Sequence, residues 1–229
     1  MKQSHNNPWL GVMAVVLPMV AGIVVLYTLP THIVYWFIRE NGPVENLSAA
    51  GHFLTAACCL TLIYKQRWPD AWIGAFITLL FGCRELEFQE RFTVMSITKL
   101  RFYTEAGVPW TQKAAVLVLI AITVWVTARY LQQHASSFLP ALRLRKPYAL
   151  SILSGMILLV LSKIGDLAHR MVIDIGVPLC YDDEIKASMV EEFFELGASL
   201  LFLAAVFQFF CNLMCHSPRE VTTHNSKSN

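Results

Sequence analysis

Six long apolar segments constrain this chain more than any other feature of its sequence. A helix needs about 20 mostly apolar residues to cross the hydrocarbon core of a bilayer. Charged residues make up only 15% of the chain, too few to cover the surface of a soluble domain. The sequence therefore predicts an all-α integral membrane bundle of six transmembrane helices. Their approximate bounds are residues 9–27, 44–64, 71–92, 112–131, 148–173 and 188–214.

The domain organisation follows from these segments. A single six-helix transmembrane domain is expected over residues 1–215, followed by a disordered polar tail over 216–229. Whether the first segment continues past Pro30 to Phe37 is left open. No nucleic-acid partner is expected, because the net charge is only +2 and no dense basic block occurs.

The distribution of charge predicts the orientation of the chain. Six spans place both termini on one side, where nine of the 18 basic residues fall. The other nine basic residues lie on the opposite side, but four of them lie within helices or at helix ends. Because the positive-inside rule counts residues in loops, the comparison is nine against five. That other side carries 14 of the 16 acidic residues. We therefore expect a multi-pass protein of a cell inner membrane with both termini in the cytoplasm.

Ionisable residues recur at helical spacing at one end of four segments, and charges at such depths are costly unless they pair or serve a function. The predicted topology brings all four stripes to the outer half of the bilayer, which predicts one shared polar pocket. The first and fourth segments lack such stripes and are expected at the periphery. The stripes are Glu45, Ser48, His52 and Thr55; Arg84, Glu87 and Arg91; Lys163, Asp166, His169 and Arg170; and Glu191, Glu192, Glu195 and Ser199.

The stripes contain the residue types of a metal site between helices. Asp166 and His169 form a carboxylate–imidazole pair at i, i+3, and glutamates from neighbouring helices face such pairs in bundle metal sites. Oxygen and nitrogen ligands suit zinc, iron or manganese, and a bound metal activates water. The first hypothesis is therefore a metal-assisted hydrolase of a lipid or its headgroup. Its predicted ligands are Glu45, His52, His169 and Glu195, and its predicted catalytic residues are Glu87, Asp166 and Glu192.

Basic side chains near the same ends are candidates for substrate binding. The segment between the third and fourth spans mixes basic and aromatic residues, a composition that suits the lipid headgroup layer. Membrane lipids are therefore the expected partners. The predicted substrate-binding residues are Arg84, Arg91, Lys99, Arg101 and Arg170.

Three other interpretations of the stripes stay open. The first is a structural network in which the basic residues neutralise the acids, without catalysis. The second is ion- or proton-coupled transport or binding, although the inner halves of the segments show no polar trail. The third is haem ligation by His52 and His169. The oligomeric state is not defined by the sequence.

Two strings follow the apolar part of the third segment: Arg84-Glu85-x-Glu87-Phe88-x-x-Arg91-Phe92 and Ser96-x-x-Lys99-x-Arg101-Phe102-Tyr103. They resemble strings of an uncharacterised group of bacterial multi-spanning inner-membrane proteins. The resemblance implies a multi-pass inner-membrane protein and brings no assigned activity. Helical spacing alone places Glu85 about 100° around the helix from Arg84.

Overall fold

The computed structural model describes residues 7–65, 68–97, 100–175 and 180–216, and these ranges contain helices and no strand. The all-α prediction is therefore confirmed. The tail predicted to be disordered lies, from residue 217 onwards, outside the described residues. The helices are α1 (Leu10–Tyr27), α2 (Thr31–Ile38), α3 (Pro43–Tyr64), α4 (Ala71–Glu85), α5 (Leu100–Thr104), α6 (Trp110–Arg143), α7 (Pro147–Asp174) and α8 (Tyr181–His216), with a 3₁₀ turn at Phe88–Arg91.

Five stretches of the described chain are long and apolar enough to cross a membrane. They lie in α1, in α2 with α3, in α6, in α7 and in α8. Helix α4 has only 15 residues, and its length of about 22 Å falls short of the roughly 30 Å hydrocarbon core. The prediction of a membrane-type helical bundle therefore holds, whereas the count of six spans is not confirmed. Pro30 separates α1 from α2, so the first span ends there.

Helix α4 ends earlier than hydropathy predicts because Glu87 turns the chain. Glu87 has a left-handed backbone with φ of 46°, and its N–H donates to the Arg84 carbonyl at 2.9 Å. A left-handed residue at this position closes a helix C-terminus, a role that glycine fills most often. Arg91 then falls in the 3₁₀ turn. The predicted common helical face of Arg84, Glu87 and Arg91 is therefore wrong.

Helix α8 is the centre of the bundle. It contacts α1, α2, α3 and α7, while α3 also packs against α4. Helix α6 contacts α4 and α7, and large apolar side chains along it, such as Leu117 and Trp125, are exposed. Helix α6 therefore lies at the periphery as predicted, but α1 packs its buried Val12 and Met19 against residues of α7 and α8.

Helices α3 and α8 approach each other closely at Gly51. A Cβ atom at Gly51 would lie 2.7 Å from Ser199 Oγ. Ser199 is fully buried. Small residues allow this kind of backbone approach between membrane helices. The contact holds the stripe of α3 that begins at Glu45 against the stripe of α8 that contains Glu195.

The turn between α6 and α7 also uses a left-handed residue. Arg145 has φ of 51°. Its N–H donates to the Leu142 carbonyl at 2.9 Å, and the Lys146 N–H donates to the Ala141 carbonyl at 2.9 Å. These two bonds form a Schellman motif, which satisfies carbonyls at the end of α6. Pro147 then begins α7.

Replacing Arg145 with glycine is expected to raise the free energy of unfolding by about 1 kcal/mol, because glycine adopts the left-handed conformation without a steric cost. The measurement is the melting temperature in detergent. The control Arg143→Gly removes the same charge from the last turn of α6 and is expected to cost about 0.5–1 kcal/mol. Equal shifts in the two variants would contradict the role of the Arg145 backbone.

Candidate functional site

A polar cavity of about 210 Å³ lies where the start of α3, the end of α4 and the middle of α8 meet. We call it the polar pocket. Arg84, Ser96 and Ile38 contribute to its wall. The rest of the lining consists of six carboxylates, Glu40, Glu45, Glu85, Glu87, Glu192 and Glu195. The structure thus brings together residues from three of the four predicted stripes.

Glu195 joins three helices at the base of the polar pocket. The Arg84 Nη2 atom donates to its two carboxylate oxygens at 2.8 and 3.0 Å. From α7, the Lys163 Nζ atom lies 2.7 Å from Glu195 Oε1, and Ser162 Oγ donates to the same oxygen at 3.0 Å. Charge-assisted hydrogen bonds of this kind are short and strong. Because its side chain is only 5% exposed, Glu195 depends on these partners for its solvation.

The Glu45 side chain caps the N-terminus of α3. Gly42 is the N-cap, Pro43 is the first helical residue, and Glu45 is the third. One Glu45 oxygen accepts a hydrogen bond from the Asn41 N–H at 2.5 Å. A glutamate at this position commonly reaches back to the backbone before the helix. The other oxygen is not used in this bond, so Glu45 both caps α3 and presents negative charge to the polar pocket.

The polar pocket contains more acidic than basic side chains. Its six carboxylates face Arg84, and Lys163 adds one cation through Glu195. Glu85 is buried, with its nearest oxygen 3.8 Å from Arg84 Nη2. The Glu192 Oε2 atom is buried and has no hydrogen-bond partner among the described residues. Glu192 as a whole is half-buried, but a carboxylate oxygen that neither water nor a donor reaches is costly, so this arrangement favours an additional cationic donor in the pocket.

Polar atoms continue from the polar pocket into the bundle along α3. Ser48, His52 and Thr55 are each at most 1% exposed. Within the described chain, Ser48 Oγ and His52 Nδ1 are buried without a hydrogen-bond partner. The His52 ring lies beside Phe81, with ring centroids 5.4 Å apart. From Glu45 to Thr55 this polar column extends about 15 Å at 1.5 Å per residue.

A second cavity of about 340 Å³ begins where the polar column ends. Thr55 lines it together with Tyr130 and His134 of α6. The His134 Nε2 atom lies 3.6 Å from Asp70 Oδ2. The expectation that the inner halves of the apolar segments show no polar trail stays a prediction, because His134 lies beyond the predicted fourth segment and most of the cavity wall is apolar. Hydropathy missed this cavity because His134 lies beyond the predicted fourth span and Tyr130 resembles an interfacial anchor.

The predicted metal ligands are only partly brought together. Glu45 and Glu195 line the polar pocket, and His52 lies deeper on α3. In the described ranges, His169 does not contribute to the pocket lining, and no group of three or more His, Cys, Asp or Glu side chains is placed to hold a metal ion. The metal centre stays a prediction. Haem ligation by His52 and His169 stays a prediction as well.

The predicted catalytic carboxylates also separate. Glu87 and Glu192 line the polar pocket. Asp166 lies one turn beyond Lys163 on α7, outside the lining formed by the described residues. Glu85 and Glu40 line the pocket without having been predicted. Glu85 was missed because it lies about 100° around α4 from Arg84 and so falls outside the predicted stripe.

The predicted substrate-binding residues lie in different places. Arg84 lines the polar pocket, whereas Arg91 is exposed, with its guanidinium carbon 6.0 Å from the centre of the Phe88 ring. Lys99 and the side chain of Arg170 lie outside the described part of the structure.

Arg101 has a partner on its own helix turn. It is exposed and forms a salt bridge with Glu105. The hydrogen bond from Arg101 to Glu105 raises the pKa of the guanidinium. Arg101 therefore stays positively charged at the surface of α5.

Comparisons of the chain with protein-family models, curated proteins and solved structures find no match. The resemblance of residues 84–103 to bacterial inner-membrane proteins stays a prediction. The chemistry of the polar pocket is therefore the basis for a functional proposal.

Proposed function

We propose that this protein is a membrane binding protein whose polar pocket takes a small organic cation with a primary ammonium group. The observation that carries the proposal is the buried Glu192 Oε2 atom, which has no partner among the described residues in a pocket of six carboxylates. An ammonium group supplies three hydrogen-bond donors and one positive charge. It would satisfy Glu192 and reduce the excess negative charge.

The size of the polar pocket supports an organic cation. Its volume is about 210 Å³, whereas one water molecule occupies about 30 Å³ in the liquid. The space is therefore well above what a single water molecule needs and admits a small organic molecule. Arg84, held by Glu195 and carrying further N–H donors, lies beside this space and suits an oxygen acceptor of the same ligand.

We propose that the pocket opens on the outer side of a cell inner membrane, with both termini in the cytoplasm. The larger number of loop Lys and Arg residues on the opposite side, nine against five, supports this orientation. It requires α4 to cross the bilayer with its neighbours despite its length of 15 residues. A C-terminal fluorescent-protein fusion that folds only in the cytoplasm tests the orientation, and a dark fusion at normal protein level would contradict it.

Ethanolamine is expected to bind the purified protein, and ethylene glycol, which lacks the ammonium group, is expected not to bind. The Glu192→Gln variant should weaken ethanolamine binding about tenfold, because a charge-assisted hydrogen bond contributes about 1.5 kcal/mol or more. Glu87→Gly should also weaken binding, and its backbone suits glycine because φ is 46°. Isothermal titration calorimetry in detergent measures both effects.

The matched control is Glu90→Gln, which removes an exposed carboxylate near Glu87 that does not line the pocket formed by the described residues. It should bind ethanolamine like the natural protein. The proposal fails if the natural protein does not bind ethanolamine, or if Glu192→Gln binds it equally well.

The polar column on α3 supports a second candidate, coupled ion or proton transport. Ser48 and His52 carry buried polar atoms between the polar pocket and the cavity that His134 lines. Chains of carboxylates and histidines are common material for relays in membranes. Proteoliposome uptake of labelled ethanolamine or protons distinguishes transport from binding. Uptake that persists unchanged in His52→Leu would contradict this route.

A further inference from the structure

A third cavity lies beside the polar pocket, between α4 and α6. Its volume is about 560 Å³, within the range of small-molecule binding sites. We call it the side cavity. Apart from Arg84 and a few polar groups, its wall is apolar, and it includes Leu80, Phe88, Phe92, Val116, Leu119 and Ile120. The side cavity therefore suits a hydrocarbon chain.

The two cavities meet at Arg84, which lines both. The Arg84 Nη2 atom pairs with Glu195, and the side chain keeps 36% of its surface exposed. A guanidinium carries five N–H donors and binds phosphate well. A positively charged donor thus lies between an acidic pocket and an apolar cavity. Glu87 lines the polar pocket on one side, and Phe88 lines the side cavity on the other.

This order of surfaces matches the order of groups in an amine-headgroup phospholipid. The ammonium group corresponds to the acidic polar pocket, the phosphate to Arg84, and the acyl chain to the side cavity. We infer that the ligand of the polar pocket is a phospholipid with a primary-amine headgroup, whose chain lies between α4 and α6. This inference rests on the proposed function and adds the substrate class.

The position of α6 supports entry of a lipid from the bilayer. Helix α6 contacts α4 and α7, and lies at the edge of the bundle. The exposed apolar residues Leu117, Val118 and Trp125 lie outside the side-cavity lining formed by the described residues. In a bilayer, exchanging one bound lipid chain for another gains little free energy. The acyl chain therefore mainly orients the headgroup, and the charged groups determine which lipid is bound.

Three probes separate the parts of the ligand. Lysophosphatidylethanolamine has the amine, the phosphate and a chain; lysophosphatidylglycerol lacks the amine; glycerophosphoethanolamine lacks the chain. Each probe is added in increasing concentration to the full chain in detergent, and native mass spectrometry measures the fraction of protein that has bound it. Lysophosphatidylethanolamine is expected to bind at least tenfold more tightly than either of the other two.

Leu119→Trp tests the side cavity, and Leu117→Trp is its matched control on the same helix, outside the cavity lining of the described residues. Leu119→Trp should remove the tenfold advantage of the chain and leave glycerophosphoethanolamine binding unchanged. Leu117→Trp should change neither. Ala115→Phe, which also fills the cavity, should repeat the effect of Leu119→Trp and guards against a folding defect in one variant.

The possible failures are distinguishable. If ethanolamine does not bind the natural protein, the proposed function fails and the inference fails with it. If ethanolamine binds but lysophosphatidylethanolamine binds no more tightly than glycerophosphoethanolamine, or Leu119→Trp and Ala115→Phe keep the advantage of the chain, only the inference fails. Equal binding of lysophosphatidylethanolamine and lysophosphatidylglycerol would likewise overturn the inferred selection for the amine.

Discussion

The Glu195→Ala variant is expected to lose about 3 kcal/mol of folding free energy, because removing one member of a buried ion pair leaves its partners unsatisfied. Glu195 accepts hydrogen bonds from Arg84, Lys163 and Ser162, which lie on two other helices. The value falls at the lower end of the range for buried pairs, since the Arg84 and Lys163 side chains are 36% and 47% exposed and regain water. Unfolding in mixed micelles measures the change.

Glu191→Ala is the matched control for Glu195→Ala. Glu191 lies one turn away on α8 and also contacts Lys163, with its oxygen 3.0 Å from Nζ. Its side chain is 24% exposed, so its removal is expected to cost less than about 1 kcal/mol. A double-mutant cycle with Arg84→Met should show strong coupling to Glu195. Additive effects in that cycle would show that the Arg84–Glu195 pair does not join α4 to α8.

The Gly51→Leu variant is expected to lose about 3 kcal/mol, because a buried contact that is already close cannot accept extra volume without a shift of the helices. The Cβ atom alone would lie 2.7 Å from Ser199 Oγ and 3.3 Å from Ser199 Cβ. Separation of α3 from α8 would also move Glu45 away from Glu195, so ethanolamine binding should fall together with the melting temperature.

Gly165→Leu on α7 provides the comparison. Among the described residues, no atom outside its own helix lies within 4 Å of the Cβ position at Gly165. The substitution should raise stability by about 0.5–1 kcal/mol, because glycine inside a helix is unfavourable. If Gly51→Leu and Gly165→Leu melt at the same temperature, the close approach of α3 and α8 does not limit the bundle.

Hydropathy predicts the bounds of a helix accurately where the helix begins and ends at the limits of an apolar segment. The second segment was expected over residues 44–64, and α3 spans Pro43–Tyr64. Helix α8 begins at Tyr181, seven residues before the expected start at Ser188, because its first turn contains Asp182, Asp183 and Glu184. Acidic residues stabilise a helix N-terminus but lower the hydropathy of the window.

The end of α4 was not predictable from the same information. A left-handed residue at a helix end is usually signalled by glycine or asparagine, whereas this chain has Glu87 there. Periodicity therefore continued the helix and placed Arg91 beside Arg84. The structure instead turns the chain at Glu87, which lines the polar pocket, and leaves Arg91 exposed.

The neighbourhood of the candidate site was predictable, but its pairing was not. Helical spacing and alternating topology were enough to place Glu45, Arg84 and Glu195 near one another. Which cation meets which acid depends on helix separations that no sequence pattern encodes, such as the contact at Gly51. His134 of α6 lines the second cavity and packs beside Trp68 and Tyr130. The periodicity of α6 alone does not predict the contact with Trp68.

The shortness of α4 has a consequence for how the chain is inserted during synthesis. With 15 residues and a charged pair at its end, α4 is a poor substrate for insertion alone, since charged residues strongly oppose transfer into the bilayer. Only six residues separate it from α3. We therefore expect α3 and α4 to leave the translocon as one helical hairpin, with Arg84 finding Glu195 only after α8 has been made. A chain truncated before α8 should therefore still insert α3 and α4 as a hairpin, with Arg84 lacking its Glu195 partner.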